Sequence, residues 1–138
     1  MDPVYRNKLN KRAMKYSCSF MSNTKWQKVF LLLINSSIKF RMKTIWGDFE
    51  TMWETLSKNS ENIISDEYIK DGAIFGGPLI YKEILYIDIA KFEKYKLPAT
   101  GASFLDEQKF ESFQKYLNNL GEFRTEEFES HLRIIGYE

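Results

Sequence analysis

The pattern of apolar and polar positions divides the chain into elements. Trp26, Val29, Phe30, Leu33 and Ile34 recur at helical spacing, and Thr24 with Gln27 reads as a capping box, so a helix is expected over 24–35. Leu31 and Leu32 widen its apolar arc, which predicts cover on more than one side. From Ile38 to Trp46 the period becomes two: Ile38, Phe40 and Met42 point one way and Lys39, Arg41 and Lys43 the other, a half-buried strand. Phe49, Met52, Trp53 and Leu56 fit a short helix with Asp48 at its N-cap. A brief strand, Ala73–Phe75, and the turn Gly76-Gly77-Pro78 lead into Leu79–Ala90, which is apolar on both faces and is the best candidate for a central strand. Lys94–Gly101 reads as a loop. Phe110, Phe113, Leu117 and Leu120 then mark a helix over 104–120, opened by Ser103 with Asp106 and closed by Gly121. His131–Tyr137 is a closing strand, expected to pair with Phe123–Thr125.

The sum is an α+β fold: a small, mostly antiparallel sheet with helices packed on one face. No linker or repeat divides residues 1–138, so a single domain is expected. Residues 3–16 mix Val4, Leu9, Ala13 and Met14 with charges and read either as a short amphipathic helix or as a loosely packed extension. Residues 1–20 are set apart as an N-terminal extension of a 21–138 core.

Composition narrows the class. With 138 residues, 43% hydrophobic and 16% aromatic, the chain has the bulk for a core, against dominant disorder. No apolar run is long enough to span a membrane, and no secretory leader opens the chain, so the cytoplasm is the expected location. The excess of Lys over Arg and of Ile over Ala fits an AT-rich bacterial gene.

Net charge is +1, which argues against a dedicated nucleic-acid binder. Its distribution is uneven: residues 1–43 carry ten Lys/Arg against the single acid Asp2, and the remainder is acidic. Such a chain can present strong local fields.

Catalytic chemistry is scarce. His131 is the one histidine and Cys18 the one cysteine, too few for a zinc site. His131, at a strand start, reads as a surface or interface residue. Glu83, between Tyr81 and Leu85 on an apolar strand, would titrate high if buried and is the first suspect for a carboxylate enzyme; its other reading is a position where the face runs out to solvent or meets a lysine. No cofactor, metal site or enzymatic activity is expected.

Two surfaces suggest binding. Trp46, Asp48, Glu50, Trp53, Glu54, Asp66, Glu67, Tyr68 and Asp71 interleave aromatics with acids, the pattern of an interface with a basic protein. The alternative is that Trp46 and Trp53 are core and the acids merely solubilise. The row Lys39, Arg41 and Lys43 is an alternative basic patch for phosphate or an acidic partner; with the basic N-terminal segment it would make a nucleic-acid or regulatory module.

Met21-Ser22-Asn23-Thr24-Lys25-Trp26, Gly77-Pro78-Leu79-Ile80-Tyr81-Lys82-Glu83-Ile84 and Ile134-Ile135-Gly136-Tyr137 resemble three stretches of an uncharacterised family of small bacterial proteins. That resemblance implies a shared fold and a bacterial source, and no mechanism. In general character the chain also looks like immunity proteins of bacterial toxin systems, including contact-dependent growth inhibition. This likeness implies a small cytoplasmic binder that neutralises a cognate toxin, a basic domain with a nuclease as one candidate, through an acidic and aromatic surface.

Overall fold

The computed structural model describes residues 2–47, 50–56, 62–70, 78–96 and 98–138; for 95, 96 and 103–105 it describes the backbone only. Chain order is α1 (Pro3–Ala13), α2 (Asn23–Ser36), β1 (Phe40–Thr44), β2 (Tyr68–Ile69), β3 (Leu79–Ile80), a 3-10 turn (Tyr81–Glu83), β4 (Ile84–Ala90), β5 (Glu93–Lys96), β6 (Ser103–Asp106), α3 (Gln108–Leu120), β7 (Thr125–Glu127) and β8 (His131–Ile135). The main sheet has the order β1-β4-β8-β7, and its paired strands are antiparallel. Two small hairpin-like pairs, β2–β3 and β5–β6, stand beside it. The fold is α+β.

The core lies between one face of this sheet and the helices α2 and α3. Trp26, Val29, Phe30, Leu33 and Ile34 from α2 meet Phe40 and Met42 of β1, Ile87 and Ile89 of β4, and Leu132 and Ile134 of β8; Phe110, Phe113 and Leu117 of α3 complete the layer. Each large apolar side chain so buried contributes about 1.5–3 kcal/mol against exposure. Alternation in β1 follows directly: Phe40 and Met42 are buried while Arg41 lies on the opposite face.

Several local expectations are corrected. The N-cap of α2 is Ser22, whose Oγ accepts from Lys25 N at 3.1 Å. Gln27 instead donates its amide to the carbonyls of Ser65 and Asp66 at 3.1 and 3.0 Å, fastening a loop. Residues 50–54 are extended rather than helical. Thr51 N donates to Met42 O, and Phe40 and Glu54 exchange backbone bonds, each at 2.9 Å. Pairing with the exposed edge of β1 satisfies backbone groups that an isolated half-helix would leave open, so tertiary pairing overrides the local spacing.

The long strand expected over 79–90 is broken by the 3-10 turn at Tyr81–Glu83. The break lets Tyr81 N reach Glu67 O at 3.0 Å, and lets Glu83 O accept from Ile45 N at 2.8 Å. The loop expected over 94–101 contributes β5, and the start expected for α3 at 104 is instead β6, because Glu93–Lys96 pairs with Ser103–Asp106. Asp106 Oδ1 then accepts from Gln108 N at 2.8 Å where the helix opens. The strand expected over 73–75, the glycines 76 and 77 and the Asp48 cap lie outside the described residues.

Residues 2–20 pack against the rest of the chain. Asp2 caps α1, Leu9 is buried, and Arg12 Nε donates to Ile45 O at 2.7 Å. Cys18 and Glu138 exchange backbone bonds at 2.9 and 3.0 Å, and Phe20 N donates to Gly136 O at 2.9 Å. Gly136 is required by close approach: a Cβ there would stand 2.5 Å from Ile84 O and 3.1 Å from the Trp26 ring.

Candidate functional site

The sheet face turned away from α2 and α3 carries charge. Strand register sets Arg41 opposite Asp88, Asp88 opposite Arg133, and Arg133 opposite Glu126. A row of alternating sign therefore crosses all four strands. Asp88 is fully buried at its centre. Its carboxylate accepts from Arg41 Nε at 3.0 Å and from Arg133 Nε and Nη2 at 2.8 and 3.2 Å. Two guanidinium groups thus saturate one carboxylate, the arrangement that makes a buried charge tolerable. Arg41 Nε also lies 3.2 Å from Glu50 Oε2.

Aromatic rings cover this row. Arg41 lies 4.5 Å from the centre of the Trp53 ring, and Arg133 lies 3.7 Å from Tyr86 and 4.9 Å from Phe128. His131 stacks on Phe128 at 4.6 Å and presents an edge contact to Trp53 at 6.2 Å. Of the two readings for His131, surface or interface, the exposed-surface one is corrected. The β8 register sets His131 on the same face as Arg133, where Phe128 and Trp53 cover it to 7% exposure, with Nδ1 held by Ser130 Oγ at 2.8 Å and Nε2 3.6 Å from Asp88. Burial holds its pKa below the ordinary histidine value, with Asp88 opposing. Burial works against the charge on Arg133, but the bond and charge of Asp88 outweigh it and raise that pKa. Burial, reinforced by Glu50, pushes the Tyr86 phenol up to about 12.

The acidic and aromatic residues singled out in the sequence fall into separate groups. Glu50 and Trp53 join Arg41 on the open sheet face. Glu54 is held by its backbone against Phe40; its Oε1 is buried with no hydrogen-bond partner, and burial raises its pKa. Asp66, Glu67 and Tyr68 are exposed on the segment that Gln27 fastens to α2. Glu67 there shares a small crevice with Arg6 and Lys82. Asp48 and Asp71 lie outside the described residues. Trp46 forms a third group: it packs on Tyr5, rings 5.9 Å apart, above Glu83. Trp46, Trp53 and Tyr68 are exposed by 38, 38 and 37%, so the alternative that these two tryptophans are core does not hold.

Glu83 is buried, 9% exposed, rather than turned to solvent or paired with lysine. The 3-10 turn directs it under α1, where the Tyr5 hydroxyl donates to Oε1 and the Trp46 indole is a second donor. Burial raises its pKa and outweighs both bonds, which act in the opposite sense. Burial, then Glu83, pushes the Tyr5 phenol up to about 12.

The basic row is also divided. Arg41 is tied into the ionic row, whereas Lys39 lines a groove with Arg41 and Lys94; Lys43 stands opposite Tyr86 in the β1–β4 ladder. Sequence reasoning missed Asp88, Arg133 and Glu126. The signal for Asp88 was present, a lone acid in the run Ile84–Ala90. Among the described residues no cluster of three His, Cys, Asp or Glu is placed to hold a metal, and no helix is long and apolar enough to cross a membrane. Compared with protein families, curated proteins and solved structures, the chain matches none.

Proposed function

We propose that this chain is a binding protein that docks a cognate protein through the open face of its sheet, in the manner of an immunity protein covering a basic toxin domain. The observation that carries the reading is the placement of Trp53. It stands 38% exposed above the Arg41–Asp88–Arg133 row, beside Glu50 and next to Met52, which is 84% exposed. A rigid aromatic held by a cation beneath it is a ready anchor for a partner. Glu126, Glu127 and Glu129 are exposed on β7 and the turn after it, and would steer a basic surface toward that anchor.

The test is co-expression with the product of the neighbouring gene, reading complex formation and rescue of growth. A stable complex that Trp53→Ala weakens about a hundredfold would support the reading, since anchors of this type contribute roughly 2–4 kcal/mol. Glu126→Lys with Glu129→Lys should slow association and flatten its salt dependence. No complex and no rescue would remove the proposal.

A further inference from the structure

Beside the ionic row lies a groove of about 340 Å³ lined by Lys39, Arg41, Trp53, Ala90, Phe92, Lys94 and Ser130. Its lining has three cations, two aromatic rings and no carboxylate. The cations come from different supports: Lys39 precedes β1, Arg41 lies within it, and Lys94 belongs to β5. Neighbouring lysines are neutralised, Lys91 by Glu127 at 2.9 Å and Lys109 by Glu93 at 3.2 Å. Lys39 and Lys94 are both exposed, and neither has a carboxylate partner among the described residues.

We propose that this groove binds a nucleoside monophosphate, its phosphate between the Lys39 and Lys94 ammonium groups and its base against Trp53 and Phe92. Each part answers to a separate feature. A phosphate monoester carries about −1.5 to −2 charge near neutral pH, which matches two uncompensated ammonium groups better than a carboxylate does. Arg41 fixes one face of Trp53 while the ring remains 38% exposed, so ring surface is left for a second planar group. Stacking on such a ring accepts any base. Ser130, anchored by its bond to His131, adds a hydroxyl to the wall. The volume lies near the lower end of small-ligand sites, about 300–1,000 Å³, so one nucleotide fits and a tract of strand does not. The groove shares Arg41 and Trp53 with the proposed docking face, but Lys39 and Lys94 play no part in that reading, and this inference does not depend on a protein partner.

Isothermal titration of the full chain with AMP, adenosine, inorganic phosphate and a short single-stranded oligoadenylate separates the possibilities. AMP should bind about tenfold or more tightly than adenosine or phosphate alone, because stacking and ion pairing then act together. Lys39→Glu with Lys94→Glu should weaken AMP about a hundredfold. Both positions are exposed, so an unchanged melting curve checks the fold of that variant. Trp53→Ala should cost about tenfold while leaving the weak affinity for phosphate unaltered. Absence of AMP binding at millimolar concentration would overturn the proposal, as would an undiminished affinity in the double lysine variant. Phosphate binding as tightly as AMP would also overturn it, and so would an oligoadenylate bound about a hundredfold more tightly with steep salt dependence.

Discussion

Asp88 and Glu83 are buried carboxylates of neighbouring chain segments, and the molecule treats them in opposite ways. Asp88 sits at the centre of the sheet, with guanidinium groups on both sides and no exposed surface. Glu83 sits under α1, and its donors among the described residues are neutral, the Tyr5 phenol and the Trp46 indole. The first is bonded to two counter-charges, whereas desolvation dominates at the second and its pKa rises. The difference shows why the sheet face and the α1 end fail differently. Removing Asp88 leaves two partly buried cations facing each other without the carboxylate that joins them. Removing Glu83 frees two donors that already lie near solvent.

The largest expected effect is therefore at Asp88. Asp88→Ala should lower stability by about 3–5 kcal/mol, since it leaves two partly buried guanidinium groups facing each other with no carboxylate between them. Urea denaturation measures this directly, and a loss below about 1 kcal/mol would mean that the row is not a buried ionic unit.

Glu83→Ala should cost less, about 1–3 kcal/mol, because the hydroxyl and indole it leaves can be rehydrated. Glu83→Gln keeps an acceptor without charge and is expected to fall within about 1 kcal/mol of the parent protein. A loss from Glu83→Ala equal to that from Asp88→Ala would erase the contrast.

The pH dependence sharpens it further. The folded pKa of Glu83 lies above its unfolded value, so the folded state takes up the proton first. The stability gained from this group is complete below the unfolded pKa, about 4.5, and is lost as pH rises through the higher folded value. The stability of the parent protein relative to Glu83→Gln should thus decline as pH rises above about 4.5. Contributions from Glu54 and His131 are common to both proteins and cancel. A difference that stays constant with pH would show that the carboxylate is not desolvated.

Among the substitutions that delete a bonding group, the smallest effect is expected for Tyr5→Phe, about 1 kcal/mol. It removes one bond to Glu83 and should speed amide exchange within α1 while leaving β4 and β8 protected. Faster exchange throughout the sheet would show that α1 and the sheet open together.

Much of the frame was legible from apolar spacing. The Trp26–Ile34 stripe marked α2, the alternation from Ile38 marked β1, and Phe110–Leu117 marked most of α3, because in each the buried face follows a simple period. Residues 50–54 were not legible, since their conformation is set by pairing with an edge of β1, including the Thr51 hydroxyl that accepts from Met42 N, and not by the spacing of their own apolar residues. The ionic row was hidden for a related reason. Arg41, Asp88 and Arg133 are brought together only by strand register, which a one-dimensional pattern does not contain. Glu83 was noticed as an acid on an apolar run; the same test applied to Asp88 would have found the centre of the row.

The three tryptophans occupy three distinct environments. Trp26 is 2% exposed beneath Gly136, Trp46 lies over Tyr5 and Glu83, and Trp53 lies over Arg41. Each principal region consequently carries its own intrinsic fluorophore. Emission from Trp26 should be blue-shifted and report on the seating of the C-terminal segment, whereas Trp46 and Trp53 emit further to the red and report on α1 and the open face. Single Trp→Phe replacements would assign the spectrum, and the sheet face could then be followed optically in the unlabelled protein.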